Sequence, residues 1–370
     1  MIVTRRQALA GGGALAFAPR IAAAPSGSLD AIGQARGIRF GTAVGYGQFQ
    51  DPRYRALIEA ECGVIVHENE LKMPAIHPAG PDSFNFARPD EVVDYAVAHG
   101  IKVRGHNLLW HHPRWLPRWA ESHDYGAHPA EGVARILTNH IRTVARHYGN
   151  RIYTWDVVNE AVDEKTGRMR DTVFSKAMGS PEAVLDLAFR TARAALPGCE
   201  LVYNDYMNWD TPEHCGGVLR LLEGFRKRGV PVDTLGLQSH IAVSRVAPHA
   251  GFGPDAEKSW RAFLDAVTAM GYKLQITEFD VNDQAAPGDF ADRDRMVADV
   301  ARAYLDCTLS YPQVSVLMVW GMTDRYSWLQ GFRRRADGLP QRCCPYDADF
   351  KPHPLRDAIA RALAGAPKRS

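Results

Sequence analysis

The sequence carries almost no excess charge of either sign. Its 370 residues contain 44 Lys plus Arg and 42 Asp plus Glu, which gives a formal net charge of +2 at pH 7. Because residues 1–24 hold three arginines and no acid, the remainder has 41 basic and 42 acidic residues. A nucleic-acid-binding protein needs excess basic charge facing the phosphates. We therefore expect no nucleic-acid partner.

Cysteine is also scarce, and the motifs of several enzyme classes are missing. Six cysteines in a chain of this length do not make a disulfide scaffold, and no C-x-x-C pair suggests zinc or redox chemistry. The sequence has neither the G-x-S-x-G turn of a serine hydrolase nor a glycine-rich phosphate-binding loop. The adjacent His111 and His112 cannot easily share a metal ion, and no aspartate-rich cluster is spaced for magnesium or calcium. We expect no cofactor and no metal, and we expect most cysteines to be buried thiols.

Long hydrophobic runs are absent outside the N-terminus. A membrane-spanning helix takes about 20 apolar residues, and no segment of the mature chain approaches that length. The N-terminus joins the pair Arg5-Arg6 to a short apolar run at residues 9–18, followed by a cleavage site of A-x-A type at residues 22–24. This pattern predicts a twin-arginine-type signal peptide over residues 1–24 and export to the periplasm or the medium. An ordinary secretory signal or an uncleaved helix is the alternative.

The rest of the chain has the composition of one globular domain. Hydrophobic residues make up 46% and charged residues 23%, values that argue against disorder. No repeat, low-complexity run or internal linker interrupts the chain. We predict a short linker at residues 25–30, a catalytic domain at residues 31–362 and a tail at residues 363–370 that frays after Gly365. We expect the mature protein to be a monomer.

Eight strand-like segments alternate with amphipathic, helix-like segments. Their spacing leaves room for one helix and one loop each time, which predicts an α/β fold of the (β/α)8 TIM barrel type. Ser180 and Thr211 each place a capping side chain before a proline at the first helical position. A doubly wound open sheet is the alternative, but it would need a phosphate-binding turn. The predicted strands are 38–42, 64–68, 102–109, 152–159, 200–205, 234–239, 273–280 and 315–323, and the predicted helices include 129–148, 181–196, 212–228 and 293–309.

Polar side chains gather where the predicted strands end, which is where the active site of such a barrel lies. One such residue alone is more often a surface charge or a satisfied core group. Five or more strands ending this way favour a site, because burying the set without a polar ligand would leave costly unpaired groups. Since alternate side chains share one face of a strand, some pairs can enter the barrel mouth together. These pairs are Glu278 and Asp280, Gln238 and His240, and His106 and Trp110.

The fourth predicted strand ends in two adjacent polar residues, Asn159 and Glu160. Neighbours on a strand point to opposite faces, so both can face the mouth only if the strand ends there. Two carboxylates on different strands, here Glu160 and Glu278, suit glycosidic bond cleavage, in which one acid stays protonated and the other ionised. Tryptophan faces stack on sugar rings, and amide, imidazole and ammonium groups bind hydroxyls. The set indicates a carbohydrate-active enzyme.

At these residues the sequence resembles glycoside hydrolase family 10, the retaining endo-β-1,4-xylanases. The similarity runs from about Phe40 to Ile359, and it implies xylan or xylo-oligosaccharides as substrate. The segments that carry it are Glu68-Asn69-Glu70-Leu71-Lys72, Phe84-Asn85-Phe86, Arg104-Gly105-His106 with Trp110-His111, Trp155-Asp156-Val157-Val158-Asn159-Glu160, Asn204-Asp205-Tyr206, Gly236-Leu237-Gln238-Ser239-His240, Ile276-Thr277-Glu278-Phe279-Asp280, and Trp320 with Ser327-Trp328.

By position, the resemblance implies that Glu160 is the general acid/base and Glu278 the nucleophile. The donors around Glu278 should favour its anion, and that charge should raise the pKa of Glu160. The implied supporting residues are Asn159 on the sugar 2-hydroxyl, His240 hydrogen-bonded to Glu278, Asp280 orienting that imidazole, and Gln238 against the nucleophile and the same sugar. The implied glycone-side binding residues are Glu68, Asn69, Lys72, His106, Trp110, Trp320 and Trp328.

Some positions depart from the family pattern, and they lie in binding segments. Met73 and Met207 stand where the family usually has Trp and Asn. The loop after Trp328 carries three arginines at residues 333–335 that could contact glucuronic-acid decorations of xylan or could simply be solvated. These departures leave the reaction intact but put chain-length preference in doubt.

Other functions stay open from the sequence. A relative with the same site could act on short xylo-oligosaccharides or other β-1,4-glycosides, and a shorter glycone cleft would mark it. A non-hydrolytic carbohydrate-binding barrel would lack one of the two acids, and both are present. A phosphate- or metal-dependent barrel enzyme would need ligands that the sequence lacks.

Overall fold

The strands form one closed parallel barrel. The computed structural model describes residues 26–243 and 251–369. The strands of these residues are β1 (Arg39–Val44), β2 (Val64–His67), β3 (Lys102–Trp110), β4 (Ile152–Asn159), β5 (Glu200–Asp205), β6 (Thr234–Leu237), β7 (His240–Ala242), β8 (Lys273–Asn282) and β9 (Val314–Val319). Strand β1 pairs with both β2 and β9, and β6 pairs with β8, so the sheet closes on itself. With β7 set apart, eight parallel strands make the barrel, and the predicted fold is confirmed.

Helices cover the outside of the barrel. They are α1 (Leu29–Gln34), α2 (Tyr46–Phe49), α3 (Pro52–Glu61), α4 (Met73–Ile76), α5 (Ala87–Ala98), α6 (Pro129–Tyr148), α7 (Val173–Met178), α8 (Pro181–Ala195), α9 (Pro212–Lys227), α10 (Pro254–Ala269), α11 (Phe290–Thr308), α12 (Leu329–Phe332) and α13 (Pro354–Gly365). Short 3-10 turns occur at Arg118–Glu121, Gly149–Arg151 and Asp324–Tyr326. Helix α6 shows why they pack there: its buried Val133, Leu137, Ile141 and Val144 form one apolar stripe at helical spacing.

Side-chain caps mark the starts of some helices and not of others. Ser180 caps α8 by accepting a hydrogen bond from the Ala183 amide at 3.2 Å, as predicted. Helix α11 begins at Phe290, earlier than predicted, because Asp289 caps it. The predicted cap by Thr211 is wrong. Its φ of −120° and ψ of 68° are not extended, and its hydroxyl donates to the preceding loop instead of accepting from the helix.

The sixth predicted strand is interrupted. Strand β6 ends at Leu237, Ser239 has a φ of 62°, and the chain then resumes as β7 beside the end of β8. The prediction of one continuous strand over residues 234–239 is therefore wrong. Gln238 and His240 still point into the barrel mouth, but each reaches a different carboxyl group there.

A buried polar layer lies inside the barrel below the mouth. Arg104 on β3 binds both carboxylate oxygens of Asp156 on β4, and its Nε donates to Gln275 on β8 at 3.1 Å. The Asp156 carboxylate also lies 2.8 Å from Nδ1 of His106. Because a buried charge is tolerated only when paired and hydrogen-bonded, this layer ties β3, β4 and β8 together. It also fixes His106 directly under the mouth.

The C-terminal segment is docked to the barrel. The Arg369 backbone amide donates to Arg36, and its guanidinium donates to the carbonyl oxygens of Leu309, Tyr311 and Val314 at 2.9–3.1 Å. The prediction that the chain frays after Gly365 is wrong, because the five-donor guanidinium of Arg369 reaches backbone carbonyls at the base of the barrel there.

The remaining predictions concern the N-terminus, the domain boundaries, membrane crossing and the cysteines. The predicted signal peptide at residues 1–24 lies outside the described residues, and the domain boundaries stay predictions. In the part of the chain that the structure describes, no helix combines the length and the apolar character needed to cross a bilayer. All six cysteines are described as thiols, and all but Cys215 are buried.

Candidate active site

Glu160 lies immediately after the end of β4, in a turn with a φ of 53°. A residue other than glycine rarely adopts a positive φ, so the surroundings must hold this turn. The Glu160 amide donates to the Asn204 carbonyl at 2.9 Å, and the Ala161 amide donates to the Tyr203 hydroxyl at 3.2 Å. Because the strand ends at Asn159, the adjacent Asn159 and Glu160 side chains both reach the barrel mouth.

Two side-chain donors hold the Glu160 carboxyl group. Trp110 Nε1 donates to Oε2 and Gln238 Nε2 donates to Oε1, each at 2.9 Å. Burial raises the pKa of Glu160 to about 7; the negative charges of Asp205 and Glu278 add to the shift, and the two hydrogen bonds oppose it. A carboxyl group that is still protonated near neutral pH can act as a general acid.

Glu278 has the opposite proton affinity. Its Oε1 accepts from Asn204 Nδ2 at 2.7 Å, and its Oε2 lies 3.3 Å from Nε2 of His240. Burial alone would raise the pKa of Glu278. The hydrogen bond from His240 and nearby positive charges, among them Lys72, outweigh burial and lower the pKa to about 2. This carboxylate is therefore ionised at neutral pH, as a nucleophile must be.

His240 lies between two carboxylates. Its Nε2 faces Glu278, and its Nδ1 is 3.0 Å from Oδ1 of Asp280, within ion-pair distance but not aligned as a hydrogen bond. Burial opposes protonation of the His240 imidazole. The negative charge of Asp280 and the hydrogen bond between His240 and Glu278 outweigh burial and raise the pKa of His240 to about 10. The aligned hydrogen bond on Asp280 comes from Trp328 Nε1 at 2.8 Å. Asp280 thus positions both the imidazole and the indole.

Buried amides connect the two carboxyl groups. Asn204 Nδ2 donates to Glu278 and, at 2.8 Å, to Oδ1 of Asn159. Gln238 Nε2 donates to Glu160 and, at 3.4 Å, to the same Asn159 oxygen. The two acids therefore converge on one pocket. Nδ2 of Asn159 is buried without a partner, and a donor left in that state fits a hydroxyl of a bound ligand.

The predicted binding residues after β2 lie beside the acids. Lys72 Nζ donates to Asn69 Oδ1 at 3.0 Å and lies 4.5 Å from the centroid of the Trp110 ring. Burial lowers the pKa of Lys72, and the surrounding carboxylates oppose that shift. Glu68 accepts from Gln48 Nε2 at 2.8 Å, and burial raises its pKa. One wall of the pocket therefore offers a cation, an amide and a carboxyl group.

Aromatic rings line the same pocket. Trp320 meets the His106 ring edge-on, with the centroids 5.5 Å apart. The Trp328 ring lies 5.0 Å from that of His240. Trp110 stacks on Trp115, which sequence reasoning did not select, at 5.0 Å and an interplanar angle of 21°. Because Trp115 is 37% exposed, this stack extends an aromatic surface from the acids toward solvent.

Taken together, the geometry offers the two acids of a glycoside hydrolase with separated proton affinities. A family model, Glycosyl hydrolase family 10, matches residues 28–362, almost the whole described chain. The chain belongs to glycosyl hydrolase family 10.

Named relatives within family 10 cover most of this chain. Endo-1,4-beta-xylanase 5 of Pyricularia oryzae is 32% identical over 337 residues, which are 88% of this chain and 76% of the relative. Endo-1,4-beta-xylanase B of Thermotoga neapolitana is 29% identical over 311 residues, 84% and 83% of the two chains.

Solved family 10 structures superpose on the barrel. The native xylanase 10B of Thermotoga maritima matches with a TM-score of 0.80 and 31% identity, covering 91% of this chain and 98% of that one. The xylanase 10B of Thermotoga petrophila, solved in complex with xylobiose, matches with a TM-score of 0.80 and 30% identity, covering 92% and 98%.

The departures from the family 10 pattern have different structural settings. Met73 and Met207 are buried, at 2% and 1% exposure, so both pack into the protein instead of offering a surface to a sugar. In the arginine run, Arg335 is bound by Asp337 and by backbone carbonyls of the loop after β8, so it is not free for a ligand. Arg333 is exposed and borders a groove beside His240.

Asn204 is the residue that sequence reasoning missed in this family 10 site. It lies in a matching segment, but only the structure shows that it joins Glu278 to Asn159. Its own carbonyl oxygen, Oδ1, accepts from the Thr277 hydroxyl at 2.7 Å, which fixes the amide orientation. The available signal was its place at the end of β5, since polar strand ends were the criterion for the other site residues.

Proposed function

We propose that this chain is a retaining endo-β-1,4-xylanase that hydrolyses xylan, with Glu160 as general acid/base and Glu278 as nucleophile. The relatives that it resembles are named endo-1,4-beta-xylanases, and solved structures similar to it hold xylobiose or xylopentaose. The observation that carries the residue roles is the buried amide bridge between two carboxyl groups whose pKa values are shifted in opposite directions.

In the first step, ionised Glu278 attacks the anomeric carbon while protonated Glu160 gives its proton to the leaving glycosidic oxygen. The carbon–oxygen bond of the xylosidic linkage breaks as the ester bond to Glu278 forms. His240, kept charged by Asp280, stabilises the Glu278 anion in the free enzyme and receives it again as the leaving group of the second step.

In the second step, Glu160 acts as the base. Once Glu278 is esterified its negative charge is gone, so the pKa of Glu160 falls and its carboxylate can take a proton from water. The resulting hydroxide equivalent attacks the anomeric carbon, and the bond to Glu278 breaks. Two displacements on one carbon restore the original configuration, which is retention.

The surrounding residues bind the glycone. Asn159 has a buried amide donor without a partner, and we assign it to the hydroxyl next to the anomeric carbon. Gln238 bonds Glu160 and approaches Asn159, so it orients the acid more than the nucleophile. Glu68, Asn69 and Lys72 supply hydrogen bonds to sugar hydroxyls. His106, Trp110, Trp320 and Trp328 form the apolar faces on which the rings rest.

The test compares Glu160→Ala and Glu278→Ala on xylan and on p-nitrophenyl β-xylobioside. We expect Glu278→Ala to lose nearly all activity on both substrates. Glu160→Ala should lose about 10²–10⁴-fold on xylan, but much less on the nitrophenyl glycoside, because that leaving group hardly needs a proton. Added azide should restore turnover of Glu160→Ala through the β-azide and that of Glu278→Ala through the α-azide.

The matched control is Glu61→Gln, which neutralises a buried acid at the opposite end of the barrel. Its activity should match the unchanged protein. Equal, mild effects of Glu160→Ala and Glu278→Ala would contradict the assigned roles. Proton NMR of the first products should show the β-anomer, and cleavage of short xylo-oligosaccharides without depolymerisation of xylan would favour a β-glycosidase instead.

We further propose that residues 1–24 direct export and that the mature enzyme works in the periplasm or outside the cell. The support is the pair Arg5-Arg6, the short apolar run after it and the alanines at residues 22–24. A polymeric substrate such as xylan is also reached outside the cytoplasm.

A further inference from the structure

A cluster of metal-ligand side chains lies outside the reacting groups, behind the aromatic wall of the pocket. Asp324, Cys343 and Cys344, the Asp-Cys cluster, each offer one ligand atom, and these atoms lie within 4.8 Å of one another. The two sulfur atoms are 3.8 Å apart, and Sγ of Cys343 is 3.8 Å from Oδ1 of Asp324. All three residues are at most 4% exposed, so the cluster is shielded from solvent.

An unpartnered nitrogen lies beside the carboxylate of the cluster. Nε2 of His353 is buried, has no hydrogen-bond partner and lies 3.6 Å from Oδ2 of Asp324. The residue is 5% exposed. A buried imidazole nitrogen normally finds a donor or acceptor, so this nitrogen is available to a ligand held by Asp324.

We propose that the Asp-Cys cluster binds a zinc ion, with His353 as its fourth ligand. Thiolate, imidazole and carboxylate are the groups that hold structural zinc in a closed tetrahedral site. With Zn–S bonds of about 2.3 Å, two sulfur ligands of a tetrahedron lie about 3.8 Å apart, and this is the distance found. To become the fourth ligand, the imidazole of His353 would turn from the carboxylate toward the two sulfur atoms.

The proposed ion would join two parts of the chain. Asp324 follows β9, whereas the two cysteines and His353 all lie in the long loop between α12 and α13. Cys343 Sγ also donates to Ser327 Oγ at 3.1 Å, and the next residue, Trp328, holds Asp280. Zinc here would anchor the segment that carries Trp328. It would not take part in bond cleavage, because it lies behind the indole and away from the acids' hydrogen bonds.

The first experiment measures metal content of the full chain. After purification in zinc-containing buffer and removal of free metal, we expect about one zinc per chain. Replacing zinc with Co²⁺ should give the visible bands of a tetrahedral site and a near-ultraviolet thiolate-to-cobalt band. Zinc should also raise the thermal midpoint of the metal-free protein, because it binds the folded form.

Substitutions distinguish the two thiols of the Asp-Cys cluster from the other cysteines. Cys343→Ser with Cys344→Ser should lose the metal and the thiolate band. Cys307→Ser, which changes an equally buried thiol elsewhere, should keep both. His353→Ala should weaken zinc binding by about 10–100-fold. The double variant could fail to fold. The zinc content and the cobalt spectrum of the unchanged chain therefore suffice to test whether the cluster binds the metal.

Two results would overturn the proposal. One is a zinc content far below one per chain with all six thiols reactive in denaturant, which would mean ordinary buried thiols. The other is four reactive thiols with a mass two daltons lower, which would mean a disulfide between the neighbouring cysteines.

Discussion

At the scale of single residues, the two acids differ because their neighbours differ. Glu278 is buried and Glu160 is partly buried, and the burial of each would by itself raise its pKa. Glu160 has only two neutral donors, from Trp110 and Gln238, so its pKa stays high. Glu278 faces the charged His240, which outweighs burial. Whether each acid is protonated therefore depends on whether the group that hydrogen-bonds it carries a charge.

The pH profile follows from these shifts. In the free enzyme, kcat/KM requires ionised Glu278 and protonated Glu160. Activity should therefore fall below about pH 2 to 3, as Glu278 takes up a proton, if the protein stays folded there. It should also fall above about pH 7, as Glu160 loses one. The upper limb is measurable with an unactivated xylo-oligosaccharide, whose leaving group needs the proton of Glu160, and the residual activity of Glu160→Gln should lack it.

Removing one hydrogen-bond donor of Glu160 should move the upper limb of the pH profile. The Trp110 indole donates to Glu160 and favours its ionised form. In Trp110→Phe the pKa of Glu160 should rise, and the upper limb should shift to higher pH by about half to one unit. Trp115→Phe is the control, since Trp115 stacks on Trp110 without bonding Glu160. A shift to lower pH in Trp110→Phe would contradict the assignment of this limb.

At the scale of elements, the ends of β4 and β5 depend on each other. Glu160 occupies a positive-φ turn, and the next amide, of Ala161, is held by the Tyr203 hydroxyl. That hydroxyl in turn donates to Asp205, which also accepts from His214 at 3.1 Å. The acid is therefore positioned by a buried chain that begins on α9 and crosses β5.

Tyr203→Phe tests this connection. The change leaves the Ala161 amide and one Asp205 oxygen without their partner, which should cost about 1–3 kcal/mol of unfolding free energy. Because the turn that aims Glu160 loosens, kcat should fall about tenfold with little change in KM. Denaturant unfolding and steady-state kinetics measure the two effects.

Tyr272→Phe is the matched control for that prediction. Tyr272 is buried, and its hydroxyl donates to the Leu222 carbonyl at 2.8 Å, away from the mouth of the barrel. It should cost a similar stability but leave kcat unchanged. Equal kcat values for Tyr203→Phe and Tyr272→Phe would mean that Tyr203 has only a structural role.

At the scale of the whole molecule, one closed barrel brings distant segments to a common mouth. Glu160 and Glu278 are 118 positions apart in the chain, yet two amides connect them to the same Asn159 oxygen. The docked Arg369 closes the opposite end of the barrel. The two acids therefore come together only in the complete barrel.

The proposed export is also tested on the whole chain. We expect the full chain, expressed in a Gram-negative bacterium, to reach the periplasm with its N-terminus shortened to about residue 25. The Arg5→Lys, Arg6→Lys variant should stay in the cytoplasm as precursor. Cell fractionation and mass spectrometry measure both. Equal export of the variant would contradict the twin-arginine route, and an unprocessed cytoplasmic wild type would contradict export itself.

Most of the fold could be predicted because it depends on local patterns. Apart from the sixth and the eighth, the barrel strands begin and end within two residues of their predicted bounds, since alternation and turn residues are visible along the chain. The eighth was predicted to run to residue 323, but β9 ends at Val319. The sixth failed because a positive φ at Ser239 has no sequence signature. The frayed tail failed because the partners of Arg369 come from other elements.

The sequence by itself predicted the barrel and placed Glu160 and Glu278 at strand ends, because side-chain period and strand-end polarity are read from neighbouring positions. The family was indicated by the motifs that resemble family 10. Only the tertiary structure decided that Asn204 bridges the acids and that Gln238 and His240 serve different carboxyl groups. It alone gathered Asp324, Cys343 and Cys344, with His353 beside Asp324. Hydrogen bonds and ligand sets form between residues that are close in space, and strand register and barrel closure, not separation along the chain, set those distances.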